Sequence, residues 1–193
     1  MKRKYLAVVA LAVTALAASA CGTTSSGSDG ALLSGGTFTM NLGTDPGTIN
    51  PYKTTGGTNR QIFAFAYDTL VGRTPTGDTV PQLASSWQVT PNQVTYTLRK
   101  GVTCQDGSTL TASAVAADFA YIKDPATLSA WVNLTIPMAY TATADDTANT
   151  VTITTSQPFG MLLQGAGSLP IVCPQGLKNP ASLDHGTDGT GPY

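Results

Sequence analysis

Residues 87–99 read Trp87-Gln88-Val89-Thr90-Pro91-Asn92-Gln93-Val94-Thr95-Tyr96-Thr97-Leu98-Arg99. Polar and apolar side chains alternate on both sides of Pro91-Asn92-Gln93, and the flanks are rich in β-branched and aromatic residues. Period-two alternation around a turn tripeptide predicts a β-hairpin, with strands at 87–90 and 94–99. Trp87 is assigned to the core. A second hairpin is predicted further on, where Tyr140 to Ala144 and Thr150 to Thr155 alternate across Asp145-Asp146. The segment between the hairpins changes period. Thr111 to Lys123 places Val115, Phe119 and Ile122 at helical spacing, with Thr111 or Ser113 as the capping residue. Gln105-Asp106-Gly107-Ser108 is a turn by composition, and Pro125 to Leu134 is predicted to be a second short helix.

Outward from this centre, residues 37–43 (TFTMNLG) alternate and are expected to form a strand. A turn, Thr44-Asp45-Pro46-Gly47, and then Asn50-Pro51-Tyr52 follow. Residues 58–70 set Ile62, Phe63, Ala66, Tyr67 and Leu70 on one helical stripe, with Thr58 or Asn59 able to cap its start. On the other side, Pro158 to Gln164 is expected to be a short helix and Pro174 to Leu177 a single helical turn. Strand, helix, strands, helices, strands, helix is a mixed α/β (α+β) order, not a regular βαβ series. There is no internal repeat and no heptad.

The first twenty residues form an export signal. Lys2, Arg3 and Lys4 precede an uncharged Ala/Val/Leu run from Leu6 to Ala18. That run is short of the roughly 20 apolar residues that a spanning helix needs, and it suits a secretory signal of 1–20. Ala18-Ser19-Ala20 before Cys21 resembles a lipobox, which implies lipidation of Cys21; Ala18 stands where Leu is usual. The alternative is an ordinary cleaved signal with a chance cysteine. Residues 21–35 then supply the lipidated Cys and a Ser/Thr/Gly-rich tether. At the other end, Gly189-Thr190-Gly191-Pro192-Tyr193 reads as a loop entering a strand, so the chain is expected to be truncated at its C-terminus.

Composition narrows the function. From Cys21 on, the chain is long enough for one domain with a core. Charged residues make up only 11% of the chain, against about 25% in typical globular domains. A net charge of −1 provides no basic footprint for nucleic acid. Of the three cysteines, Cys21 belongs to the lipobox. Cys104 and Cys173 are predicted to pair in the oxidising exported compartment; the alternative is two buried free thiols. The closed loop of about 70 residues contributes about 4 kcal/mol in the chain-entropy account. A single histidine, His185, and no close cysteine pair leave no metal site and no cofactor to expect. There is no G-x-S-x-G elbow and no Ser/His/Asp set, and Gly165-Ala166-Gly167 is too short for a dinucleotide loop. An enzyme is therefore not expected.

From Gly36 onward the chain resembles the extracellular solute-binding lipoproteins of family 5, which serve peptide, dipeptide and nickel ABC importers. The segments that carry the resemblance are Tyr67-Asp68-Thr69-Leu70-Val71, Val80 through Trp87, Thr95 through Val102, Asp106-Gly107 with Leu110-Thr111-Ala112, and Gly189 through Tyr193. Each is short; their order and spacing make the match. The chain departs from the pattern at Cys104, near which the family has an aromatic, and at Ala114, where an acidic residue is common. The resemblance implies that 36–193 is the N-terminal part of the first lobe of a two-lobed periplasmic-binding-protein-like fold, with a β-rich subdomain at about 54–157.

The same resemblance implies a function. Two lobes would close on an oligopeptide or similar small solute and deliver it to an ABC permease and its ATPase, with the protein lipid-anchored at the outer face of the membrane (periplasmic or extracellular) and no covalent chemistry performed. It places Asn50 and Tyr52 on a cleft-edge loop and Trp131 on a short helix near the solute, where a Trp can stack on or cover it. The competing readings are that Asn50 only shapes a turn and that Tyr52 and Trp131 only pack the interior. The rival function is a surface lipoprotein with a structural or adhesion role and no small ligand.

Overall fold

The computed structural model of the chain describes Thr37 and residues 39–192. The signal 1–20, Cys21, the tether to residue 35 and Tyr193 lie outside the described residues. The first hairpin is β3 (Ala84–Thr90) and β4 (Gln93–Leu98), in register Trp87↔Tyr96 and Thr90↔Gln93. The second is β5 (Tyr140–Asp145) and β6 (Thr150–Thr155), in register Tyr140↔Thr155. Their inner strands pair with each other, Tyr96 opposite Val151 and Val94 opposite Ile153, giving one antiparallel sheet of order β3-β4-β6-β5. Because side chains alternate faces, Val94, Tyr96, Leu98, Val151 and Ile153 are all buried on one side. The other side carries a threonine lattice in which the Thr95 and Thr152 hydroxyls meet at 2.9 Å.

Helix α2 (Ala112–Lys123) packs against β5 and β6. It buries Val115, Phe119 and Ile122, each contributing about 1.5–3 kcal/mol. Thr111 caps it, accepting from the Ala114 N–H at 3.1 Å. Asp146, in the β5–β6 turn, accepts from the Ser113 backbone N–H at 2.8 Å and from its hydroxyl at 2.5 Å, fixing the hairpin to the helix start. Trp87 is half-buried rather than a core residue, because β3 is an edge strand whose one buried residue is Ala84.

Helix α1 (Gly57–Ala66) starts from Gly56 with no side-chain cap, and it stops before Tyr67, whose backbone is extended. After it, β1 (Val71–Arg73) and β2 (Thr79–Pro81) form a small antiparallel ribbon that the sequence reading did not anticipate. Helix α3 (Leu162–Gly167) begins later than expected and packs on β1 and β4. Helix α4 (Pro174–Lys178) and a 3₁₀ turn, Pro180–Asp184, follow. All these elements lie within one compact unit, Asn41–Tyr193.

Two of the expected elements fail to form. Residues 39–43 are not a strand; alternation readies side chains for a sheet, but a strand also needs a partner ladder, and none of the described strands pairs with them. Residues 125–134 form only a 3₁₀ turn, Pro125–Thr127. Leu128 and Asn133 take left-handed backbone, with φ of 50° and 62°, which ends any helix there. Trp131 therefore sits in a folded loop, not on a helix.

Candidate functional site

Asn50 and Tyr52, expected to reach a solute, are instead buried, at 1% and 2% exposure. The Asn50 amide donates to the Pro180 carbonyl (2.9 Å) and to Asp184 Oδ1 (3.3 Å), and its Oδ1 accepts from the Tyr52 N–H at 3.0 Å. Lys53 closes the same junction with an ion pair to Asp184 at 2.7 Å. Asp45 accepts from the Gly47 N–H at 2.8 Å, as a turn former does. The Tyr52 ring lies 4.5 Å from that of Tyr121, and its hydroxyl donates to Asp118 Oδ1.

Asp118 is fully buried and its Oδ2 has no hydrogen-bond partner. Burial pushes its carboxyl up to about 7, against the opposing pull of the Tyr52 hydroxyl and the Val172 backbone. Burial, and then the charge of Asp118, raises the Tyr52 hydroxyl far above the usual tyrosine range. The signal for Asp118 was legible: it lies three residues after Val115 and four before Ile122, on the apolar stripe of α2.

Trp131 is also buried, but beside an opening. Its Nε1 donates to the Pro51 carbonyl at 2.6 Å, and the Ala130 N–H donates to the Tyr52 carbonyl at 2.8 Å. The Asn50–Tyr52 turn thus acts as the bracket that holds Trp131. The Arg60 guanidinium lies over the indole, 5.5 Å from the ring centroid. Together they border a hollow of about 320 Å³, at the lower end of small-molecule sites. Arg60, Phe63, Ala64 and Tyr67 form one wall at spacings of three, four and seven, a single face of α1 and its end. Thr135 and Pro170 line the opposite side.

The hydroxyls of two lining residues, Tyr67 Oη and Thr135 Oγ1, are buried from solvent. Burial raises the Tyr67 hydroxyl to about 12, the Asp188 backbone partly opposing it. Helix α3 is pressed so close to this loop that a Cβ on Gly165 would collide with the Thr135 carbonyl oxygen. Arg60 was not singled out in the sequence. Its signal was its position on the same face as Phe63 and Tyr67.

The Sγ atoms of Cys104 and Cys173 stand 2.01 Å apart with Cα atoms separated by 6.1 Å, disulfide geometry. Beside them the Gln105 N–H donates to the Gly189 carbonyl (3.0 Å) and the Cys173 N–H to the Asp188 carbonyl (2.8 Å). The segment continues along the end of α1. Thr190 donates to Asp68 at 2.8 Å, and the Gly191 N–H donates to the Ala66 carbonyl at 3.1 Å. A Cβ on Gly191 would stand 2.6 Å from the Ala66 carbonyl carbon, so only glycine allows this approach. Among the described residues no group of three or more His, Cys, Asp or Glu is placed to hold a metal ion, and no helix is long and apolar enough to cross a membrane.

The profile of the "Bacterial extracellular solute-binding proteins, family 5 Middle" matches residues 78–193. The chain belongs to this solute-binding family. A family relative, the glutathione-binding protein GsiB of Escherichia coli (strain K12), is 31% identical over 157 residues, which cover 79% of this chain and 30% of GsiB. Among solved structures, a substrate-binding protein from Microbacterium hydrocarbonoxydans complexed with 4-hydroxybenzoate hydrazide is 34% identical with a TM-score of 0.66, covering 76% of this chain and 31% of that one. The binding protein AgaA of A. tumefaciens R10, in complex with agropinic acid, is 25% identical with a TM-score of 0.69, covering 79% of this chain and 31% of AgaA. The chain therefore spans about 30% of the length of the family members it matches. The mixed α/β architecture read from the sequence is the one these family structures share.

Proposed function

We propose that this chain contributes a first-lobe part to a solute-capturing protein of an ABC importer, exported and anchored through a lipid on Cys21, with Cys104 and Cys173 paired outside the cell. The solute is an oligopeptide or a similarly small molecule, handed to a membrane permease driven by its ATPase. The observation that carries the reading is the hollow beside Trp131. It is mostly apolar and backed by a hydrogen-bonded bracket that holds Trp131. Trp131 supplies a stacking surface, while Asn50 and Tyr52 act by holding it. Closure of a second lobe over this wall would be a hinge motion stabilised by the solute.

The test is a thermal-shift and calorimetric screen of the complete gene product against a panel of di- to pentapeptides, glutathione and small aromatic acids and amides. Saturable micromolar or tighter binding that Trp131→Ala weakens about tenfold supports capture at this wall. Silence across the whole panel rejects it.

A further inference from the structure

Arg60 is, among the described residues, the only charged side chain lining the hollow. Among the described residues its guanidinium makes neither an ion pair nor a hydrogen bond; its contact is the face of Trp131, at 5.5 Å. Contact through a ring face uses none of the five N–H donors of an arginine, and it limits the side chain's freedom to leave the opening. No carboxylate of the described residues lines the hollow to neutralise it. Phe63, Ala64, Trp131 and Pro170 make the apolar part of the wall, and the hydroxyls of Thr69 and Ser168, which also line it, donate to Gln82 and to the Gly165 carbonyl. The opening thus offers one fork-shaped cation beside a mostly apolar surface, with no carboxylate among the described residues to receive an ammonium group.

We infer that this wall selects solutes bearing a carboxylate next to an aromatic or aliphatic body, and that Arg60 is the residue that reads the carboxylate. The inference rests on the capture reading above and adds the solute's charge class and a specificity residue. Arginine suits the task because its planar fork matches a carboxylate in two parallel hydrogen bonds, which a lysine cannot reproduce. Arg60 is exposed, so replacing it leaves the packing of α1 intact.

The experiment titrates the complete gene product and its Arg60→Gln and Arg60→Lys variants with two matched pairs: 4-hydroxybenzoate against 4-hydroxybenzamide, and N-acetylphenylalanine against its amide. In the unaltered protein the acid of a pair is expected to bind about tenfold or more tighter than the amide, with added salt weakening the acid alone. Arg60→Gln is expected to erase that preference while amide affinity stays within about twofold and the thermal midpoint is unchanged. Arg60→Lys is expected to restore only part of it. Equal binding of acid and amide to the unaltered protein overturns the inference, as does an acid preference that survives Arg60→Gln; in both cases capture itself stands. If neither pair binds at all the inference also falls, and capture falls with it only if the wider solute panel is silent too.

Discussion

Asp118 lies on the apolar stripe of α2 with its Oδ1 held by the Tyr52 hydroxyl and its Oδ2 unpartnered. Its carboxyl titrates near 7 in the fold because of burial, against 3.8 for the free side chain. Between those values the folded chain binds more protons than the unfolded chain. The contribution of this group to stability is therefore full below pH 3.8 and is lost as pH rises through about 7. At 1.36 kcal/mol per unit, the loss is at most about 4 kcal/mol. Asp106 and Asp146 are exposed and Asp184 is half-buried, and all three carboxyls are held below their usual range, chiefly by hydrogen bonds from Ser108, Ser113 and Lys53 respectively. Their contribution disappears as pH falls through those lowered values, outside the window that Asp118 governs. Asp118→Asn keeps an oxygen for the Tyr52 hydroxyl and carries no charge. Thermal midpoints measured at pH 5, 6.5 and 8 are expected to decline in the unaltered protein and to stay flatter in the variant. Parallel declines would show that the Asp118 carboxyl does not set this pH dependence.

At the scale of elements, α2 is the join between the two hairpins, and its first turn is where the join is made. Thr111 accepts from Ala114, and Asp146 reaches across from the β5–β6 turn to Ser113. Thr111→Ala should cost about 1 kcal/mol, read as a lower urea midpoint with an unchanged slope; no change would mean that Asp146 alone secures the helix start. This part of the fold was legible because its signals are local: a capping Thr, a stripe at helical spacing, two alternating runs. What was illegible is long-range. Nothing in the alternation of residues 93–98 says that their partner is 150–155 rather than an open edge, since pairing across more than fifty residues is set by the shared apolar face. The ribbon of β1 and β2 has three residues per strand, too few for a period to register. Residues 125–134 misled because Leu128, Trp131 and Leu134 have helical spacing, yet left-handed turns at Leu128 and Asn133 win. Trp131, which borders the hollow, was singled out by resemblance. The burial of Asn50 and Tyr52 was not, because their partners Pro180, Asp184 and Asp118 lie some 66 to 134 residues away.

At the scale of the whole compact unit, the Cys104–Cys173 pair spans a sequence separation of 69 that contains α2, β5, β6 and α3. The two cysteines also flank residues 188–189, which bond to Gln105 and Cys173 and lead on to the end of α1. A bond here restrains the unfolded chain over a long loop, so the chain-entropy account assigns it about 4 kcal/mol. For a chain of this size that corresponds to roughly 10 °C in thermal midpoint. The hollow beside Trp131 touches neither cysteine, so stability and solute affinity should separate. The doubly substituted Cys104→Ser, Cys173→Ser protein, compared with the exported unaltered protein, is expected to melt about 10 °C lower and to bind the same solutes within about threefold. Thiol titration of the unaltered protein, unfolded without reductant, should then detect neither Cys104 nor Cys173. If both thiols titrate and the midpoints coincide, the two cysteines are unpaired in the exported protein, and the clamp on 188–191 rests on its backbone hydrogen bonds alone. If the midpoint falls and affinity falls with it, the segment beside Ala66 transmits its disorder to Tyr67, and the wall of the hollow depends on the bond that closes the loop behind it.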